Sequence, residues 1–116
     1  KSTKVPSFNV IGNSPLVLRE SLLDEVYTMG ENFVEAAKRV VSPGMNGPFC
    51  IEGVYDENAK FTSFEFSARI VAGTNIYMDG SPYYSLLFNE NMSMGKRIAR
   101  EVKTATESNQ LDKITT

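Results

Sequence analysis

The sequence predicts an α+β fold, an antiparallel β-sheet flanked by helices, and three observations carry that expectation. "FEFSAR" (64–69) alternates apolar and polar residues one for one, as a half-buried strand does. From Ser21 the period changes, and Leu22, Leu23, Val26, Phe33, Ala37 and Val40 recur at helical spacing. Between these runs stand chain breakers, above all "SPGMNGP" (42–48) with its two Gly and two Pro.

Taken in order, "KSTKVPS" is polar and frays. "FNVIGN" (8–13) alternates briefly before the turn signal "NSPL", so a strand is expected to end at Gly12-Asn13. "SPLVLRE" offers a short helical turn, with Ser14 as cap and Pro15 at the first helical position. The main helix runs from Ser21 to about Val41, with Ser21 and Asp24 spaced as a capping box. Gly30 in its middle costs about 1 kcal/mol relative to Ala and is expected to mark a close approach. Two strands follow, 49–55 and 61–70, joined by "DENAK". Residues 72–82 read as a Gly-rich loop, and Pro82 opens a short helix through "YYSLLF". The Tyr83-Tyr84 pair in it reads as core or interface before it reads as a platform for a base. Ser93 caps a last helix whose buried stripe is Met94, Ile98, Val102 and Ala105; Lys96, Arg97, Arg100 and Lys103 lie off it, on a solvated face. No repeat, low-complexity tract or long linker divides residues 1–116, which are read as a single domain with enough chain for a real core.

Composition removes whole classes of function. A net charge of −2 argues against a nucleic-acid footprint. No apolar run reaches the length of a membrane span, and the first residues lack the pattern of a signal peptide. With no histidine, catalytic triads, His–metal sites and imidazole acid–base chemistry are excluded. One cysteine, Cys50, excludes an internal disulfide and fits a reducing, cytoplasmic setting; without a His or Cys partner it reads as packing, not nucleophile. The first residue is Lys1, not Met, which reads as a piece of a longer polypeptide, although a processed end would look the same.

Pairing the two strands with the turn centred on Asn58-Ala59 makes opposed residue numbers sum to a constant. Phe49, Ile51, Gly53 and Tyr55 then face Ala68, Phe66, Phe64 and Thr62 on a core side, with Gly53 leaving room for the Phe64 ring. On the other side Cys50 meets Ser67, Glu52 meets Glu65 and Val54 meets Ser63. A one-residue slip would mix the faces. Two glutamates standing opposite, roughly 5 Å apart at Cβ, repel each other. Solvation, a shared proton or a cation between them relieves that repulsion. A divalent ion fits where a phosphate-bearing ligand is present, since Mg²⁺ is held by one or two carboxylates plus substrate phosphates. Ser67 would extend the polar shell, and Arg69 can grip a phosphate or carboxylate oxygen bidentately. The competing reading is plain: glutamates on a solvated strand, with Arg69 paired to Glu65. "AGTN" after the second strand can aim backbone N–H groups at an anion, or be an ordinary turn.

These segments carry a resemblance. "GPFCIEGVYDENAKFTSFEFSARIVAGTN" resembles the C-terminal part of the ATP-grasp ligases, and "GNSPLVLRESLL", "FEFSARIVAGTN", "GSPY" and "MSMGKRIAREVK" resemble, in the same order, segments of their archaeal-type, formate-using purine branch. The likeness covers about residues 8–108. It implies the C-terminal half of an ATP-grasp fold and an ATP- and Mg²⁺-dependent reaction, with Mn²⁺ as a substitute metal. Formate would be phosphorylated to formyl phosphate and captured by the amine of aminoimidazole carboxamide ribonucleotide (AICAR). The products would be the formamido nucleotide (FAICAR), ADP and phosphate, a step toward inosine monophosphate.

By the same resemblance, Glu52 and Glu65 match the metal-ligand positions and Arg69 approaches the transferring phosphoryl group. Asn13 matches a contact to the aminoimidazole nucleotide, against its ordinary role as a turn residue. Arg19 would face a substrate phosphate, or else serve the following helix through its charge. Gly73 and Thr74 are expected at the ATP phosphates and Asn75 at the substrate. The expected partners are formate, AICAR, the N-terminal part of the same polypeptide and further copies of the chain, with "YYSLLF" as a candidate contact. No nucleic acid and no membrane are expected. The fragment alone should not turn over. A paralogue coupling another acid and amine, and a non-catalytic nucleotide-binding or assembly module, stand beside this reading.

Overall fold

Both periodicities become elements in a computed structural model that describes residues 7 and 9–115. Helix α1 (Leu23–Val40) is entered through a 3-10 turn at Glu20–Leu22. Asp24 and Glu25 in its first turn and Lys38 and Arg39 in its last complement the helix dipole. The expected capping box does not form: Ser21 lies inside the 3-10 turn, and the residue entering the helix is Leu22, with no side-chain cap. Gly30 has open space where a Cβ would sit, so the expected close approach is absent too.

Strands β1 (Cys50–Tyr55) and β2 (Phe61–Ser67) pair antiparallel into a two-stranded sheet. β2 stops at Ser67, short of the expected residue 70. The connecting turn is organised by Asp56, whose carboxylate accepts from the N–H groups of Asn58 and Lys60, each at 2.9 Å. The predicted register holds for Cys50↔Ser67, Ile51↔Phe66 and Glu52↔Glu65. It then shifts by one residue, giving Gly53↔Ser63, Val54↔Thr62 and Tyr55↔Phe61. Phe64 is the extra residue of a β-bulge, and the expected pairs Gly53–Phe64, Val54–Ser63 and Tyr55–Thr62 are not made.

The reason for the shift is legible in the side chains. Phe61 and Phe64 are three residues apart, so strict alternation would send their rings to opposite faces. The bulge returns Phe61 to the apolar face, where its ring centroid lies 5.0 Å from that of Tyr55. Gly53 clears space for Phe61, not Phe64: a Cβ there would come within 2.3 Å of the Phe61 ring. Helix α1 crosses this face, with the Phe33 ring tilted against Phe49 and Phe66, its centroid 5.0 Å from each. At the other end the Tyr55 phenol is pushed up by burial and by the Glu25 charge of α1, and its hydroxyl is buried without a hydrogen-bond partner.

Helix α2 (Pro82–Phe88) starts at Pro82 under a Ser81 cap, and α3 (Met94–Glu107) starts under a Ser93 cap, both as read from sequence. Short 3-10 turns occupy Ala72–Ile76 and Leu111–Lys113. α2 and α3 meet where the Arg97 and Arg100 guanidiniums sit 5.3 and 4.6 Å from the Phe88 ring centroid. The α3 cations are further tied to acids: Lys96 and Arg100 to Glu90, Arg97 to Glu101 and Lys103 to Glu107. Between the two helices Met92, 1% exposed, donates its N–H to the Asp79 carbonyl at 3.1 Å. Gly80 has φ +81°, and a Cβ there would lie 1.9 Å from the Met92 carbonyl oxygen, so only glycine fits.

Two further expectations fail. Residues 9–13 form no strand and pair with neither strand of the sheet; Phe8 lies outside the described residues. No helix forms over "SPLVLRE" before the turn at Glu20. Nor does the length yield a deep core. Met92 and Ala105 are the only buried apolar residues among those described, while Val10 and Ile11 stand fully out. The radius of gyration, 16.9 Å, exceeds the roughly 13 Å of a compact hundred-residue domain. Each apolar stripe is covered on one side only, so the elements form an open layer with apolar surface left over. No described helix is long and apolar enough to cross a membrane.

Candidate functional site

The face of the hairpin turned away from α1 carries Cys50, Glu52 and Val54 on β1 and Thr62, Glu65 and Ser67 on β2. Glu52 and Glu65 are direct partners in the ladder, at the last pair before the bulge. Their Cβ atoms are therefore about 5 Å apart. Neither makes an ion pair with any described residue. Arg69, two residues beyond the end of β2, donates to the Ile70 carbonyl at 3.0 Å and does not pair with Glu65. The guanidinium is exposed and stands near enough to Cys50 to draw its thiol pKa down, while burial and the Glu52 charge push it up more strongly. Burial leads, the thiol stays protonated, and Cys50 packs beside the site.

The donor chemistry suits an oxygen-seeking ion of partial protein coordination. Two carboxylates are paired across the ladder, and no group of three or more His, Cys, Asp or Glu side chains converges among the described residues. That is too few ligands for a closed protein cage, and it is the number Mg²⁺ uses when phosphate oxygens complete its shell.

Of the other predicted residues only Thr74 lines a cavity, on the opposite side of residues 70–73. Leu16, Val17 and Leu18, then Leu23, Val26 and Tyr27 of the helix start, Thr74, Tyr77 and the α2 start line an apolar cavity of about 390 Å³. Arg19 is next to Leu18 and exposed; Asn13 lies three residues before Leu16, also exposed. Gly73, Thr74 and Asn75 fall in the 3-10 turn, not in an open loop. The Thr74 hydroxyl and N–H both turn back to the Val71 carbonyl, at 2.7 and 3.1 Å. Gly73 has neither a positive φ nor a neighbour that a Cβ would strike. Only Ile70 to Gly73 separate Arg69 from Thr74, so β2 leads from the carboxylate face directly to the cavity rim.

Sequence reading missed Tyr77, whose hydroxyl bonds the backbone of Leu16, and the hydroxyl role of Tyr83, which bonds that of Leu18. A half-buried tyrosine commonly finds a partner for its hydroxyl, and that is the signal.

The sequence matches, over residues 1–116, the family model described as a domain of unknown function, DUF1297. It is similar to the 5-formaminoimidazole-4-carboxamide-1-(beta)-D-ribofuranosyl 5'-monophosphate synthetase of Nitrosopumilus maritimus (strain SCM1), at 90% identity over 116 residues, 100% of this chain and 34% of that protein. The synthetases of the same name from Cenarchaeum symbiosum (strain A) and Archaeoglobus fulgidus are 71% and 54% identical, over 99% and 94% of this chain and 34% and 30% of those proteins. The chain thus spans about a third of the length of the curated relatives it matches. These names bear out the resemblance to the purine-ligase branch read from the four ordered segments. Matched along its whole length, the chain belongs to the DUF1297 family.

Proposed function

We propose that this chain is the metal-binding and substrate-binding part of an ATP- and Mg²⁺-dependent ligase that formylates AICAR with formate to give FAICAR, ADP and phosphate. It forms the C-terminal half of an ATP-grasp fold, as a single domain, in a cytoplasmic enzyme. The observation that carries this reading is the Glu52↔Glu65 pair, two unneutralised carboxylates facing each other on the open side of the hairpin. The relatives' printed name supplies the chemistry to which such a pair is suited.

Glu52 and Glu65 would hold Mg²⁺, which when bound neutralises phosphate charge. The ladder fixes both carboxylates on one rigid face, so their geometry costs little to organise when ATP arrives. Arg69 brings a guanidinium to the end of the same strand, where it stabilises charge on the transferring phosphoryl group and on formyl phosphate. Gly73 and Thr74 approach the ATP phosphates, with the Thr74 hydroxyl exchanging its bond to the Val71 carbonyl for one to a phosphate oxygen. Asn13, Arg19 and Asn75, around the apolar cavity, orient the nucleotide so that its amine meets the acyl phosphate. Ser67 and the protonated Cys50 keep the flank of the site polar but unreactive.

The apolar surface exposed at Val10, Ile11, Leu16 and Phe64 is covered by the rest of the polypeptide, and Leu86 and Leu87 of α2 meet a further copy of the chain. The adenine site belongs to that remainder, and this chain alone does not turn over. The test incubates the full-length protein with ATP, Mg²⁺, formate and AICAR and follows FAICAR and ADP together. Equal amounts of both, requiring all four components, are expected. ADP without FAICAR would instead identify another acid or amine, and neither product from folded protein would overturn the enzymatic reading.

A further inference from the structure

We propose that Tyr77 and Tyr83 are positioning residues whose hydroxyls set the register of residues 13–19 against the second half of the chain; this rests on the reading of Asn13 and Arg19 as substrate-binding residues. Residues 9–19 form neither helix nor ladder before the turn at Glu20, so no local hydrogen-bond pattern fixes their position. Tyr77 supplies two bonds at once. Its hydroxyl accepts from the Leu16 N–H at 2.7 Å and donates to the Leu16 carbonyl at 3.0 Å. A phenol has one donor and spare acceptor lone pairs, so one group closes on both backbone functions of one residue. The Tyr83 hydroxyl donates to the Leu18 carbonyl. These contacts join positions 61 and 65 residues apart and are tertiary, not local.

Packing alone would not choose this register. Leu16, Val17 and Leu18 are three apolar residues in a row, and all three line the same cavity as the two tyrosine rings. Sliding the segment by one residue would trade one aliphatic side chain for another at small cost. It would move Asn13 and Arg19 by about 3.4 Å, the rise of extended chain. Such an offset is larger than a hydrogen bond between these residues and a bound substrate can absorb. The tyrosine bonds distinguish the registers. A slide one way brings Pro15, which has no N–H, to Tyr77. Where the chain is extended, a one-residue slide turns the bonded backbone groups to the opposite side.

The test uses Tyr77→Phe, Tyr83→Phe and the double variant in the full-length protein, which keep the rings and remove the hydrogen bonds. Two readouts are taken: hydrogen exchange at the Leu16 amide, and steady-state constants for each substrate. Tyr77→Phe is expected to speed Leu16 exchange about tenfold, somewhat more than the loss of one ordinary hydrogen bond would give. The double variant is expected to raise KM for AICAR about tenfold, with kcat and KM for ATP within about twofold of wild type. Unchanged exchange at Leu16 overturns the tyrosine contacts as a restraint, whatever the kinetics. Faster exchange with an unchanged KM for AICAR overturns the positioning role. A wild-type protein that makes no FAICAR would count against the proposed function instead, and Leu16 exchange would still decide whether the tyrosines hold the segment.

Discussion

The two faces of the hairpin share one backbone but obey opposite rules. On the α1 side, Tyr55, Phe61 and Phe66 meet aromatic neighbours, and the strand breaks its own register to bring Phe61 there. On the other side, Glu52 and Glu65 stand opposed with no cation among the described residues. The first arrangement is what folding selects. The second works against it, since a like-charged cross-strand pair destabilises a sheet. Elsewhere Glu90 holds Lys96, with Arg100 at 3.7 Å, whereas the directly opposed Glu52 and Glu65 have no such partner. In the proposed function that difference has a use: Glu52 and Glu65 are left for a cation that is not a side chain.

Four substitutions break or sharpen this contrast. The largest effect is expected from Glu65→Gln in the full-length protein, a loss of about 10²–10³-fold in FAICAR formation, the scale of removing one electrostatic stabiliser from a transfer site. Its melting temperature should hold or rise, because one of two repelling charges is gone; a clear fall would make Glu65 a structural residue. On the aromatic face, Phe61→Ala should cost about 2 kcal/mol in chemical denaturation, below the full cost of a wholly buried Phe because this ring is half-buried. A neutral result would remove the reason given for the bulge. Tyr55→Phe should stabilise by about 1 kcal/mol, since its buried hydroxyl has no partner to lose.

The smallest effect concerns Glu90, whose carboxyl is held below the ordinary range by its hydrogen bond to Lys96 and the charges of Lys96 and Arg100. Its folded pKa is depressed, so any stability it contributes is present above the ordinary carboxylate pKa and lost as pH falls through the folded value. An NMR titration should find Glu90 below the ordinary value in wild type and restored toward it in Lys96→Met. Equal values in the two proteins would show that the ion pair is not populated.

Much of the site-bearing structure was legible in the residues. The strand alternation at "FEFSAR" gave the opposition of Glu52 and Glu65, because the pairs nearest it obey a simple period of two. Beyond Glu52 that period failed, and the cause was also written in the sequence: the spacing of three between Phe61 and Phe64 cannot be served by an unbroken strand. The caps Ser81 and Ser93 were readable because a side-chain oxygen before a helix satisfies local N–H groups. The segment 9–19 was not readable. Its alternation and its Ser-Pro both point to local structure, while its actual partners, Tyr77 and Tyr83, lie some sixty residues away and leave no local pattern. The cavity at its side, and hence any gathering of Arg19 near Thr74, depends on those distant bonds.

The most direct test of the carboxylate pair locates a metal on it. Full-length protein with labelled valine methyl groups would be titrated with Mn²⁺ in the presence of a non-hydrolysable ATP analogue. Val54, exposed on the same face and two residues from Glu52, should broaden in wild type through the nearby paramagnetic ion and stay sharp in a Glu52→Gln, Glu65→Gln double variant. A Val54 signal that remains sharp in wild type, or broadens equally in the double variant, would contradict a metal held by Glu52 and Glu65.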